Sequence, residues 1–99
     1  MKKLKTDVVI IGGGVVGSAT AYFLSHHGID NILVERDAIA SHASGFSYAA
    51  LGTFDESGMT GSHFEVASNG MRLHRELALS LQNQTGINVE YRERATLSL

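Results

Sequence analysis

An α/β fold built around a parallel strand–helix–strand unit is predicted by three features of this 99-residue chain. A short β-branched apolar run, Asp7-Val8-Val9-Ile10-Ile11, stops abruptly at glycine. The apolar spacing then switches to a helical period. A second short apolar run, Ile32-Leu33-Val34, follows and closes on Glu35. Continuously apolar runs of this length, bounded by turn residues, read as strands of a parallel sheet buried on both faces.

Composition sets the outer limits. Ninety-nine residues make one domain at most. With 43% hydrophobic and 18% charged residues the chain is too apolar for intrinsic disorder. A chain this short buries only about 60–65% of its unfolded surface, so a thin core is expected. The absence of cysteine excludes a disulfide framework, cysteine metal ligands and a cysteine nucleophile. Eight Lys and Arg against ten Asp and Glu give a net charge of −2, leaving no global basic field to attract nucleic acid. Eleven glycines without a single proline is the skewed number, and their placement carries most of the information.

The N-terminus superficially imitates a secretory signal, because Lys2, Lys3 and Lys5 precede an uncharged run from Val8 to Leu24. Asp7 stands at the mouth of that run, and four glycines interrupt it within six positions. Glycine disfavours the helix that a signal segment or a membrane span requires. Strand, turn and helix is the reading that explains every glycine. No membrane span is expected, and a cytoplasmic location follows as the default.

The first helix places Val16, Thr20, Phe23, Leu24 and His27 on one face, and Gly28 ends it in the usual position of a left-handed residue. Residues 37–61 lose all periodicity and are rich in Ala, Ser and Gly, which marks a functional loop with room for one helical turn. Ser62-His63-Phe64-Glu65 has the spacing of a capping box. It opens a long amphipathic helix bearing Phe64, Ala67, Met71, His74, Leu77 or Ala78, and Leu81, stopped at Thr85-Gly86. Residues 89–92 and 95–99 read as strand, joined as a hairpin through Glu93-Arg94. The chain ends inside its last apolar run, as a fragment of a longer protein would; the alternative is a small domain ending in an edge strand.

The chemistry concentrates in Gly12-Gly13-Gly14-Val15-Val16-Gly17, which satisfies G-x-G-x-x-G. The pattern alone is weak, but here it has the required context of a strand before it, a helix after it and an acid closing the next strand. Gly12 permits the tight turn, Gly14 lets a pyrophosphate approach the backbone, and Gly17 allows the helix to pack closely on the strand. Glu35, eighteen residues past Gly17, can accept both hydroxyls of an adenosine ribose and would repel a 2′-phosphate. Together these define a Rossmann-like dinucleotide unit. They leave NAD and FAD both open, and Arg36 is either solvated or laid over the adenine face. The segment from Ser41 to Gly52 discriminates better: its small side chains permit close backbone approach, and Ser41, Ser44 and Ser47 supply hydroxyls beside Gly45.

The succession DVVIIGGGVVGSATAYFLSHHG, ILVERD and ASHASGFSYAALG resembles the N-terminus of D-amino acid oxidase-type flavoproteins, a family of FAD-dependent oxidoreductases that includes glycine oxidase, sarcosine oxidase and D-amino acid dehydrogenase. The resemblance is strong from Asp7 to Gly52 and looser beyond. It implies FAD as cofactor, with Gly12, Gly13, Gly14, Val15, Val16 and Gly17 on the pyrophosphate and Glu35 on the ribose. Arg36 would lie beside the adenosine, and Ser41, Ser44, Gly45 and Ser47 near the phosphates and the approach to the flavin. It also implies oxidation of the C–N bond of a small amine or amino acid, and a larger two-domain protein whose substrate domain follows residue 99. Some members attach flavin through a histidine in this loop. The matching position here is Tyr48, so non-covalent FAD is implied, and His42 faces solvent or a phosphate.

Two other readings stay open beside it: a fragment of an NAD-dependent dehydrogenase, and a dinucleotide-binding module without chemistry. The five histidines lack metal-ligand spacing, and no metal site is expected. Asp55-Glu56 and the face carrying Arg72, Arg75 and Glu76 read as solvated surface. Phe46 and Tyr48 suit either a cofactor stack or a core anchor. No catalytic residue is assigned within the chain, because in flavoenzymes the cofactor carries the redox chemistry and the protein positions it.

Overall fold

The structure, a computed structural model, describes residues 2–52 and 61–95. The chain divides into two compact units, Met1–Ala49 and Ala50–Leu99.

The first unit is the predicted parallel arrangement. Strand β1 (Val8–Ile11), helix α1 (Val15–His26), strand β2 (Asn31–Val34) and a single helical turn α2 (Ala43–Phe46) follow in order. The strands pair in parallel, Val8 opposite Asn31 through Ile11 opposite Val34. Parallel neighbours cannot be joined by a hairpin, and α1 provides the crossover. The N–H of Gly12 continues the ladder past β1 by donating to the Val34 carbonyl at 2.8 Å, which brings the glycine turn beside the end of β2.

Among the described residues β1 is covered on one face, whereas Asn31, Ile32 and Leu33 of β2 are all half-buried. Val8 and Ile10 are half-buried on the α1 side, whereas Val9 and Ile11 are 58% and 89% exposed. The expectation of strands buried on both faces is therefore corrected for β1. Continuous apolarity anticipates a layer on each side, and this unit supplies one helix. Helix α1 begins at Val15, its first internal bond running from the Ser18 N–H to the Gly14 carbonyl, and ends before Gly28 at φ 71° as predicted. The Nδ1 atoms of His26 and His27 donate back to the carbonyls of Tyr22 and Phe23, closing the last turn. Asn31 donates from Nδ2 to the Ser25 hydroxyl and the Ile29 carbonyl, fastening the helix end to the start of β2.

The second unit contains α3 (Ser62–Thr85), closed by Gly86 in the left-handed conformation with its N–H on the Gln82 carbonyl. Its half-buried stripe includes Ala67, Met71, His74, Leu77, Ala78 and Leu81, as the periodicity predicts, while Phe64 is exposed. The capping box does not form. Gly61 is the N-cap and Ser62 already the first helical residue, one position too late for its hydroxyl to act as the cap. The N–H groups of Phe64 and Glu65 turn to the Gly61 carbonyl instead.

The expected strand at residues 89–92 is also corrected. Glu90 sits at φ 55° with its N–H on the Asn88 side chain, a local turn that breaks the extended path. An apolar run becomes a strand only where a neighbour completes its ladder, and the described sheet contains β1 and β2 alone. A bond from Arg75 Nε to the Glu93 carboxylate ties this segment to α3 instead. Residues 96–99 of the second expected strand and the Asp55-Glu56 pair lie outside the described residues.

Candidate dinucleotide site

The site is a glycine turn held between two ends of secondary structure. Gly12 adopts φ 108°, a conformation that side-chain-bearing residues rarely take, and turns the chain out of β1 into α1. The return is tight: a Cβ on Gly17 would lie 1.9 Å from the Gly12 carbonyl oxygen. A shallow groove of about 380 Å³ opens here, lined by Gly12, Gly14, Val15, Gly17, Thr20 and Ser44 among others. Helix geometry leaves the N–H groups of Val16 and Gly17 without an intrahelical acceptor at this positive end of the α1 dipole.

Among the described residues Gly13 alone is buried. Both of its polar backbone groups are taken by the segment following β2. Its N–H donates to Glu35 Oε2 at 2.7 Å, and its carbonyl accepts from the Ala40 N–H at 2.9 Å. The other carboxylate oxygen of Glu35 accepts the Asp37 N–H at 2.9 Å. These backbone donors, Asp37 first and Gly13 second, hold the Glu35 carboxyl below its ordinary pKa by favouring the charged form. The carboxylate has about four acceptor sites, so these backbone bonds leave it able to accept more.

Ser44 reaches the same turn from α2. Its hydroxyl oxygen accepts the Val15 N–H at 2.9 Å, and a Cβ on Gly14 would stand 2.9 Å from that oxygen. The structure thus gathers the six turn residues, Glu35 and Ser44 in one place. It does not bring the remaining predicted residues to them. Arg36 is 83% exposed and paired with Asp37, and Ser41 donates its N–H to the Ala38 carbonyl. Gly45 packs against the Ala40 carbonyl, and the Ser47 hydroxyl accepts the Ala49 N–H. His42 donates from Nε2 to the Asp37 carboxylate at 2.7 Å. Phe46 and Tyr48 are exposed, so neither anchors a core here.

Sequence reasoning passed over Asp37 and Ala40, which fasten the loop to the turn. Asp37 carries a weak signal as an acid two positions past the strand-closing Glu35. Ala40 carries none, because its contribution is a backbone N–H. Among the described residues no group of three or more His, Asp or Glu side chains is arranged to hold a metal ion, and no helix is long and apolar enough to cross a membrane.

A parallel β-α-β unit with a G-x-G-x-x-G turn and an acid closing the second strand defines the class of dinucleotide-binding α/β proteins. The chain belongs to the DAO family of FAD dependent oxidoreductases, whose profile matches residues 7–99. FAD is accordingly the cofactor, which displaces the nicotinamide alternative. Glycine oxidase from Bacillus cereus ATCC 14579 superimposes with a TM-score of 0.79 at 39% identity, over 91% of this chain and 24% of that one. Glycine oxidase from Bacillus licheniformis is 27% identical over 93 residues, which are 94% of this chain and 25% of that protein. Digeranylgeranylglycerophospholipid reductase from Sulfolobus acidocaldarius is 39% identical over 80 residues, 75% of this chain and 18% of that protein. The chain spans about a quarter or less of the length of these relatives.

Proposed function

We propose that this chain is an incomplete FAD-binding segment, residues 1–99, of an enzyme that oxidises the C–N bond of a small amino acid or secondary amine. The substrate domain is placed beyond residue 99, together with the groups that touch substrate. The observation that carries the reading is the meeting of two distant side chains with one glycine turn: Glu35 accepts the Gly13 N–H at 2.7 Å, and Ser44 accepts the Val15 N–H at 2.9 Å beside the groove lined by Gly12 and Gly14. The resemblance to glycine oxidase supports the choice of amine substrates.

The residues fit an adenine dinucleotide. A Cβ on Gly14 would crowd the Ser44 hydroxyl in the groove, so glycine keeps the approach to the α1 N-terminus open for a pyrophosphate. The N–H groups of Val16 and Gly17 donate to its oxygens. Glu35 accepts the ribose hydroxyls on the acceptor sites its backbone bonds leave unused. The Ser44 hydroxyl, already accepting from Val15, still has its own proton to donate to a phosphate oxygen. When bound, FAD supplies the two-electron acceptor that converts an amine C–N bond to an imine, which water hydrolyses. This chain's share is to bind and orient that cofactor.

The complete gene product should retain flavin through purification, and an amine substrate should bleach its visible absorbance under anaerobic conditions. Glycine, sarcosine, small D-amino acids and secondary amines form the panel to test. A flavoprotein reduced by none of them would overturn the substrate class. A protein that takes up no FAD on reconstitution would overturn the whole reading.

A further inference from the structure

We infer that Glu35 is a positioning residue for the glycine turn, one that builds the phosphate-binding backbone before any ligand arrives and does so independently of its contact with ribose. Gly13 is the most enclosed residue of the described chain, and a buried backbone N–H without a partner is costly. Glu35 Oε2 is the acceptor that the Gly13 N–H has, at 2.7 Å. The Gly13 carbonyl is held from the other side by the Ala40 N–H at 2.9 Å, so the Gly13 backbone is clamped at both ends by the segment following β2.

The carboxylate also organises that segment. Its Oε1 accepts the Asp37 N–H, and the Asp37 carboxylate accepts in turn from Arg36 Nε and His42 Nε2. His42 is the N-cap of the turn α2 that carries Ser44. Glu35 thereby joins the two pieces of backbone that must be in register for the Val15 N–H to meet Ser44. An amide replacement keeps the shape but offers one carbonyl oxygen, so it can satisfy Gly13 or Asp37 but not both in the same way. Alanine satisfies neither.

The structural part of this inference is independent of the cofactor; its consequence for affinity rests on the FAD reading above. The test compares wild-type, Glu35→Gln and Glu35→Ala forms of the complete protein after removal of flavin. Hydrogen–deuterium exchange is followed in peptides covering residues 11–16 and 36–40. In Glu35→Ala both peptides should exchange faster, by about threefold to tenfold, and in Glu35→Gln one should be affected more than the other. Unchanged exchange in both peptides of either variant overturns the inference. The isosteric Gln form keeps the test decisive if the Ala form does not fold.

Affinity separates positioning from ribose contact. FAD and an analogue lacking both hydroxyls of the adenosine ribose are titrated against each apoprotein. A positioning role predicts that Glu35→Ala weakens both ligands. Equal affinity of wild type and Glu35→Ala for the analogue would overturn that role. A wild-type protein that binds neither ligand would overturn the FAD reading, and the exchange data would still decide whether Glu35 holds the turn.

Discussion

The backbone N–H of Val15 and the hydroxyl oxygen of Ser44 meet at 2.9 Å across 29 positions of sequence. The bond gives the first turn of α1 a side-chain acceptor from a different element, where a helix normally finds one in its own N-cap. Gly14, the residue in the N-cap position, makes no side-chain cap. A serine delivered by α2 therefore does for α1 what its local sequence does not.

Replacing Ser44 with alanine should remove that acceptor. A stability loss of about 0.5–1 kcal/mol is expected, at the lower part of the range for lost helix caps because the site is open to solvent. FAD affinity should fall about two- to tenfold from the loss of a neutral donor. Urea denaturation of the apoprotein and flavin titration measure the two effects separately.

Gly17→Ala should damage the fold itself. The new Cβ would sit 1.9 Å from the Gly12 carbonyl oxygen, a backbone atom that cannot swing aside as a side chain would. Relief requires α1 to move off the turn, and overpacking of this kind costs about 1–3 kcal/mol. A thermal midpoint unchanged from wild type would refute the close approach.

Gly14→Val should leave the apoprotein folded and prevent flavin retention. The valine side chain would occupy the groove next to Ser44, on the approach proposed for the pyrophosphate. Circular dichroism verifies folding, and the flavin-to-protein absorbance ratio reports binding. Wild-type flavin content would remove the phosphate-turn assignment.

Acid should weaken the turn through Glu35. Its carboxyl is held below the ordinary glutamate pKa in the folded chain, chiefly by the Asp37 N–H and then by the Gly13 N–H. The folded state thus binds this proton less tightly than the unfolded state. The resulting stability is fully present above the ordinary glutamate range and is lost as pH falls through the lowered folded value. Glu35→Gln has no such proton to gain. The stability difference between wild type and Glu35→Gln, followed from neutral pH into acid by urea midpoints, should shrink across that window. A difference independent of pH would contradict the assignment.

Much of the fold was readable along the chain because its signals are local. The apolar run before Gly12, the helical spacing from Val16 to His27 and the left-handed Gly28 each depend on neighbours within a few positions. The stripe of α3 was readable for the same reason. The misread elements share the opposite property. Ser62 and Glu65 have capping spacing, yet the helix starts one residue earlier than that device requires. Residues 89–92 have strand composition, but no ladder is offered to them among the described residues, and Glu90 turns the backbone aside. Within the site, Glu35 was identified by its distance from Gly17, while Arg36, Ser41, Gly45 and Ser47 were grouped with it by proximity in sequence. The loop bonds largely to its own backbone, and of its serines and Gly45 only Ser44 reaches the turn, beside the Ala40 N–H on the Gly13 carbonyl.

By itself the amino-acid sequence determined the β-α-β order, the glycine turn and the acid that closes the second strand. Backbone sterics and apolar period act over short distances and need no knowledge of partners. Tertiary structure decided which acceptor each of these N–H groups received: Glu35 for Gly13 and Asp37, Ser44 for Val15. It also decided which face of β1 was covered. Those outcomes depend on where segments many residues apart come to lie, and a hydrogen bond at under 3 Å is selected by that placement rather than by residue type.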